Sequence, residues 1–194
     1  MTVLNLTREL ERLVEHIVRQ VGELAHIDPS RLLLCISSTR GGGIRGTYAK
    51  IHPLRFTGGE KTLERRRGRH TYRVTMPTVT HRGAEMLYVV YFLVPRFLDL
   101  SLREKLITVF HELYHIAPAF DGDIRRFAGR NYAHGSSTKK YNAFMGTLVD
   151  RYLASHEVPE LLAFLQGSMM ELRERHRTIV GRRFRVPRIR TERT

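Results

Sequence analysis

A chain of 194 residues and 22.6 kDa can bury one core, and 42% hydrophobic against 27% charged residues excludes a wholly disordered chain. Lys plus Arg number 33 against 19 Asp plus Glu, a formal charge of +14, and with five lysines 28 of those cations are arginine, a balance that attracts polyanions. The longest apolar stretch, residues 86–95, is about half of what a membrane-spanning helix needs, so no membrane partner is expected. Residues 1–20 carry charges every few positions where a secretory signal has an uninterrupted apolar run, so export by such a signal is not expected. A lone cysteine, Cys35 in the apolar run 32–36, predicts a buried strand and a reducing, cytoplasmic setting. Only histidine and carboxylate then remain as ligands for any metal.

Leu10, Leu13, Val14, Ile17, Val18, Val21 and Leu24 recur every three or four residues, which predicts an amphipathic helix over 7–24, broken by Asp28-Pro29-Ser30. Residues 31–38 read as a short buried strand and Gly41-Gly42-Gly43 as a turn. Residues 47–56 suggest a second strand, which Pro53, having no N–H to share, restricts to an edge or to an early end. With five cations and few apolar residues, 58–70 reads as an exposed loop. Strands follow over 72–79 and 86–94, the latter rich enough in β-branched and aromatic residues to lie centrally in a sheet.

Ser101-Leu102-Arg103-Glu104 forms a capping box, and Leu102, Leu106, Val109, Phe110 and Leu113 build one apolar stripe. A helix is therefore expected over 100–116, stopped by Pro118, with an irregular connection over 118–137. Ser137 or Thr138 caps a further helix to Ser155, with Tyr141, Phe144, Met145, Leu148, Val149 and Tyr152 on its buried side, and another starts at Pro159 and runs to Arg175. The expected architecture is α+β: an N-terminal helix, a small mixed sheet and C-terminal helices in a single domain over 1–178, with a flexible basic tail over 179–194.

The capped helix carries His111-Glu112-Leu113-Tyr114-His115, the HExxH pattern. Positions i and i+4 stack on one helical face, so both imidazoles can reach a single zinc ion while Glu112 points toward a water on the metal. Such a water is acidified toward neutrality, and the carboxylate can take its proton during attack on a peptide carbonyl and pass it to the leaving amine. A third ligand is needed that leaves one position open. His134, in Tyr132-Ala133-His134-Gly135, is the first choice, and Asp121, Asp123 and Glu157 are alternatives. For the developing oxyanion, Tyr141 is a candidate donor, with Tyr114 and Tyr132 behind it, and Arg125, Arg126 and Arg130 could meet a substrate carboxylate or phosphate. The other histidines show no ligand-like arrangement.

The run HELYHIAPAFDGDIRRFAGRNYAHGSSTKKYNAFM resembles the zincin metallopeptidases, specifically the small metallopeptidases found in phages and bacteria, and is distantly similar to SprT-like proteases. That resemblance covers residues 86–153 well and the rest loosely. It implies zinc ligands at His111, His115 and His134, a catalytic base at Glu112, a protein or peptide substrate, and an edge strand beside the motif helix that holds the substrate as an added strand. The chain departs from metzincins in lacking HExxHxxGxxH, and from many SprT-like proteins in lacking a cysteine zinc ribbon. A reading from a different class also stands: a nucleic-acid-binding protein with a structural zinc or no metal. Its support is residues 61–73 and 181–194, each with six cations against one acidic residue, Glu64 and Glu192.

Overall fold

In the computed structural model, residues 2–39, 46–127, 137–155 and 158–194 are described. A short strand, β1 (Thr2–Asn5), leads into α1 (Leu6–Gln20), whose first turn is capped by the Asn5 side chain accepting the Arg8 N–H at 3.1 Å. The apolar residues that recur along α1 fall on one face, and Leu6, Leu10, Leu13 and Ile17 are fully buried. The helix ends earlier than its apolar pattern, because Val21 is extended and Leu24 packs from a separate 3-10 turn, Gly22–Leu24.

Next in chain order come β2 (Leu32–Ser38), β3 (Ala49–Pro53), β4 (Thr62–Arg67), β5 (His70–Thr75), β6 (Thr80–His81), β7 (Ala84–Glu85) and β8 (Tyr88–Val94). They are followed by α2 (Leu102–Tyr114), α3 (Thr138–Ser155), α4 (Pro159–Leu162), α5 (Met169–Arg175), β9 (His176–Val180) and β10 (Arg190–Arg193). The fold is α+β, as expected.

The central sheet has the order β2-β8-β3, with β8 parallel to β2 and antiparallel to β3. Its two faces are buried differently. Leu34, Tyr88, Val90 and Phe92 turn toward α1, α2 and α3 and form the main core. Leu33, Cys35, Val89 and Tyr91 turn the other way, under Leu54, Val79 and Met86. Strand β8, apolar on both faces, is central, and β3, ending at Pro53, is the edge. Burial pushes the Cys35 thiol up to about 11, so it stays protonated and inert.

Three expectations are corrected. The supposed loop over 58–70 contains β4, which pairs antiparallel with β5 across a tight turn where Gly68 has φ 62°. Its arginines hide the strand, because an exposed hairpin needs no apolar alternation. The single helix from Pro159 to Arg175 is broken by a 3-10 turn at Ala163–Leu165 and by Gly167 at φ 87°, after which Ser168 and Glu171 form a second capping box for α5. Residues beyond 178 pair rather than trail free. Strand β9 lies parallel to β1 and β10 antiparallel to β5, and between them Arg182 donates its N–H to Thr7 Oγ1 (2.8 Å) and its guanidinium to Glu11 (2.6 Å). These partners lie far away in sequence, so no local pattern announces them. Among the described residues no helix is long and apolar enough to cross a membrane.

Candidate active site

The motif helix α2 is anchored before its chemistry begins. Ser101 Oγ accepts the Glu104 N–H at 3.3 Å and Glu104 Oε2 accepts the Ser101 N–H at 3.1 Å, the reciprocal capping box expected from the sequence. Leu106, Val109, Phe110 and Leu113 bury one stripe against the sheet and neighbouring helices. This fixes the rotation of α2 and turns residues 107, 108, 111 and 112 toward a cleft of about 460 Å³. Tyr48 and Ala49 form one wall of that cleft and Thr138 and Asn142 another.

Within the motif, His111 Nε2 and His115 Nε2 lie 3.0 Å apart, with their ring planes at 76°. The far nitrogen of His111, Nδ1, lies 3.0 Å from Asn142 Oδ1 on α3. An amide oxygen only accepts, so the proton sits on Nδ1 and the lone pair of Nε2 faces His115. Metal–nitrogen bonds run to about 2.0–2.1 Å, so one divalent ion between the two rings can reach both nitrogens, and the donor set fits such a metal. Among the described residues no three His, Cys, Asp or Glu side chains come together as a metal site. His134, with Arg130, Tyr132 and Glu157, lies outside the described residues.

Glu112 is buried, at 7% exposure, and burial pushes its carboxyl up to about 7, while a hydrogen bond from the Ile51 N–H pulls the other way. That N–H is available because of register. Leu93 N donates to Tyr48 O and Leu54 N to Leu87 O, so the even-numbered residues of β3 bond β8 and the odd-numbered ones face the free edge. Glu112 thus joins the motif helix to the sheet edge. Neither Ile51 nor Asn142 was singled out from the sequence. A backbone group leaves no residue-type signal, and Asn142 is recognisable only once α3 is packed on α2.

Tyr141 is buried against both imidazoles. Its ring stacks on His115 (centroids 5.4 Å, planes 21° apart) and meets the edge of His111 at 4.9 Å. Its hydroxyl donates to His111 O at 3.4 Å, and burial, with the Glu112 carboxyl nearby, raises its pKa well above the ordinary phenol range. Tyr114 instead packs under the Arg125 guanidinium, 4.1 Å from the ring centre, and Arg125 Nε donates to Tyr114 O.

The chain after α2 folds back on itself. His115 O accepts the Arg125 N–H at 2.6 Å, and Tyr88 OH accepts from Gly122 N (3.0 Å) while donating to Asp123 O (2.8 Å). Asp121 Oδ1 accepts the Asp123 N–H, and the Asp123 carboxylate takes two bonds from Arg126, at 2.9 and 3.1 Å. Both aspartates weighed as ligands are therefore engaged in holding this loop. Among the remaining histidines, His16 bonds Tyr152 OH at 2.7 Å and His176 bonds Thr2 Oγ1 at 3.0 Å.

A family model described as "Putative phage metallopeptidase" matches residues 4–149. No curated protein and no solved structure matches the chain.

Proposed function

Because the chain belongs to this phage metallopeptidase family, whose model spans most of it, we propose that it hydrolyses peptide bonds at the α2 site with zinc as the metal. The observation that carries this reading is the pair of imidazole nitrogens 3.0 Å apart beside a buried carboxyl on the same helix. His111 and His115 would hold the ion, with His134 as the third ligand, and Asn142 would orient His111 through its far nitrogen. When bound, zinc supplies a Lewis acid that acidifies water and polarises a carbonyl oxygen.

The remaining steps belong to this chain's own residues. Glu112 takes a proton from the attacking water and delivers it to the leaving amine, from a site where burial favours its protonated form. Tyr141 stays protonated, and its hydroxyl turns from the long bond to His111 O to donate to the developing oxyanion. Strand β3 receives the substrate as an added strand. The N–H and C=O of Ala49 and the C=O of Ile51 face its free edge, beside the cleft that Ala49 lines with His111 and Glu112.

The test is cleavage of an unfolded protein such as casein by the zinc-loaded chain, with and without a chelator. Wild type is expected to cleave and to stop on chelation. Glu112→Gln should lose about 10²–10⁴-fold in kcat while keeping its zinc, and Tyr141→Phe about 10²-fold with little change in KM. Undiminished, chelator-sensitive turnover by Glu112→Gln would remove that residue from the role of base.

A further inference from the structure

The two arginine-rich segments, 61–73 and 181–194, meet in one exposed sheet, because β10 pairs with β5 and β5 with β4. Residues directly opposite one another across an antiparallel pair share a face, and successive residues alternate faces. The register therefore sorts the charges. Glu64, Arg73 and Glu192 form one row, so both acidic residues of these segments lie on the same face, on either side of Arg73, which Glu64 approaches to 3.9 Å. The next row, on the opposite face, is Arg65, Tyr72 and Arg193, and two residues further on that same face Arg67 stands beside His70.

One face of the sheet thus carries three arginines with no carboxylate, while the other carries three arginines, Arg66, Arg73 and Arg190, against two carboxylates. Arg65, Arg67, His70 and Arg193 are exposed and Tyr72 is half-buried. Among the described residues, none of these three arginines makes an ion pair. Lys61, by contrast, is engaged with Glu85 at 3.3 Å. Same-face neighbours along a strand are about 7 Å apart, near the spacing of successive phosphates in an extended strand. Tyr72 has Arg65 and Arg193 as its cross-strand neighbours, on strands about 5 Å to each side. That row offers charge for a backbone and a ring face for an unpaired base.

We propose that the Arg65, Arg67, Tyr72 and Arg193 face of the β4-β5-β10 sheet binds single-stranded nucleic acid, with arginines on phosphates and Tyr72 against a base. The site is separate from the α2 chemistry, and its test does not depend on peptidase activity.

Fluorescence anisotropy with the full chain and a labelled oligothymidine of about 20 nucleotides reads the binding, with the salt slope as a second readout. Wild type is expected to bind at low salt. Arg65→Gln/Arg67→Gln/Arg193→Gln should weaken binding at least about tenfold and flatten the slope by about 2, since each phosphate contact on a single strand contributes about 0.7. Tyr72→Leu should cost about fivefold or more through lost stacking. Arg66→Gln/Arg73→Gln/Arg190→Gln, which removes the same charge from the other face, should change affinity by less than about threefold. Circular dichroism confirms that each variant is folded. Three results would overturn the proposal: no binding at low salt, equal losses from the two triple variants, or competition by duplex DNA or anionic phosphatidylserine vesicles as effective as by the single strand.

Discussion

The proton on His111 Nδ1 is held by Asn142, 31 residues further along the chain, and this decides what the other ring nitrogen can do. With Nδ1 donating to that amide oxygen, the neutral ring keeps an Nε2 lone pair aimed at the space it shares with His115. Replacing the amide by an isosteric apolar group leaves the ligand in place but frees its tautomer and ring orientation. Asn142→Leu is therefore expected to weaken zinc binding by about 10–100-fold without unfolding the chain, measured by competition with a chromogenic chelator. Affinity equal to wild type would show that packing against Tyr141 alone orients the ring. Glu112 has the complementary arrangement, since the Ile51 N–H ties its carboxyl to the sheet edge where a substrate strand would lie.

At the scale of elements, three different devices hold α2 in place: the capping box at Ser101, the apolar stripe, and a buried lysine. Lys105 is 1% exposed and donates from Nζ to Leu165 O (2.8 Å) and Gly167 O (2.6 Å), tying α2 to the break between α4 and α5. Burial brings its pKa down from 10.5 to about 8, with Asp99 and Glu171 pulling upward and Arg175 downward. The neutral amine, which can still donate to both carbonyls, is the form the fold prefers. A lowered lysine pKa gives stability that is complete above 10.5 and lost as pH falls through about 8. Urea unfolding should show wild type gaining up to about 3 kcal/mol between pH 8 and 10.5 relative to Lys105→Met, at 1.36 kcal/mol per pKa unit. Parallel pH profiles for the two proteins would contradict this.

Across the whole molecule, what the sequence disclosed depended on how local its cause was. The helix bearing His111 and His115 was legible because its cap, stripe and histidine spacing all lie within 15 residues, between Ser101 and His115. Strand β8 was legible as central because it is apolar on both faces, and Pro53 limited β3 to an edge or an early end, both of which the structure shows. Strand β4 was not, because an exposed hairpin carries arginines where a buried one would alternate. The pairing of β10 with β5 and of β9 with β1 joins residues more than 100 positions apart, which only the folded topology reveals. In the site, the adjacency of the two imidazoles was readable from their spacing, whereas Asn142 and the Ile51 N–H depend on one element packing against another.

The most direct test of this account is the metal content of the purified, zinc-reconstituted chain by native mass spectrometry, on wild type, His115→Ala and His134→Ala, each shown to be folded by circular dichroism. One zinc per wild-type chain, lost in both variants, is the expected result. A wild type that holds no metal, or a His115→Ala variant that keeps its zinc, would contradict the assignment of the α2 histidines as the metal site on which the peptidase reading stands.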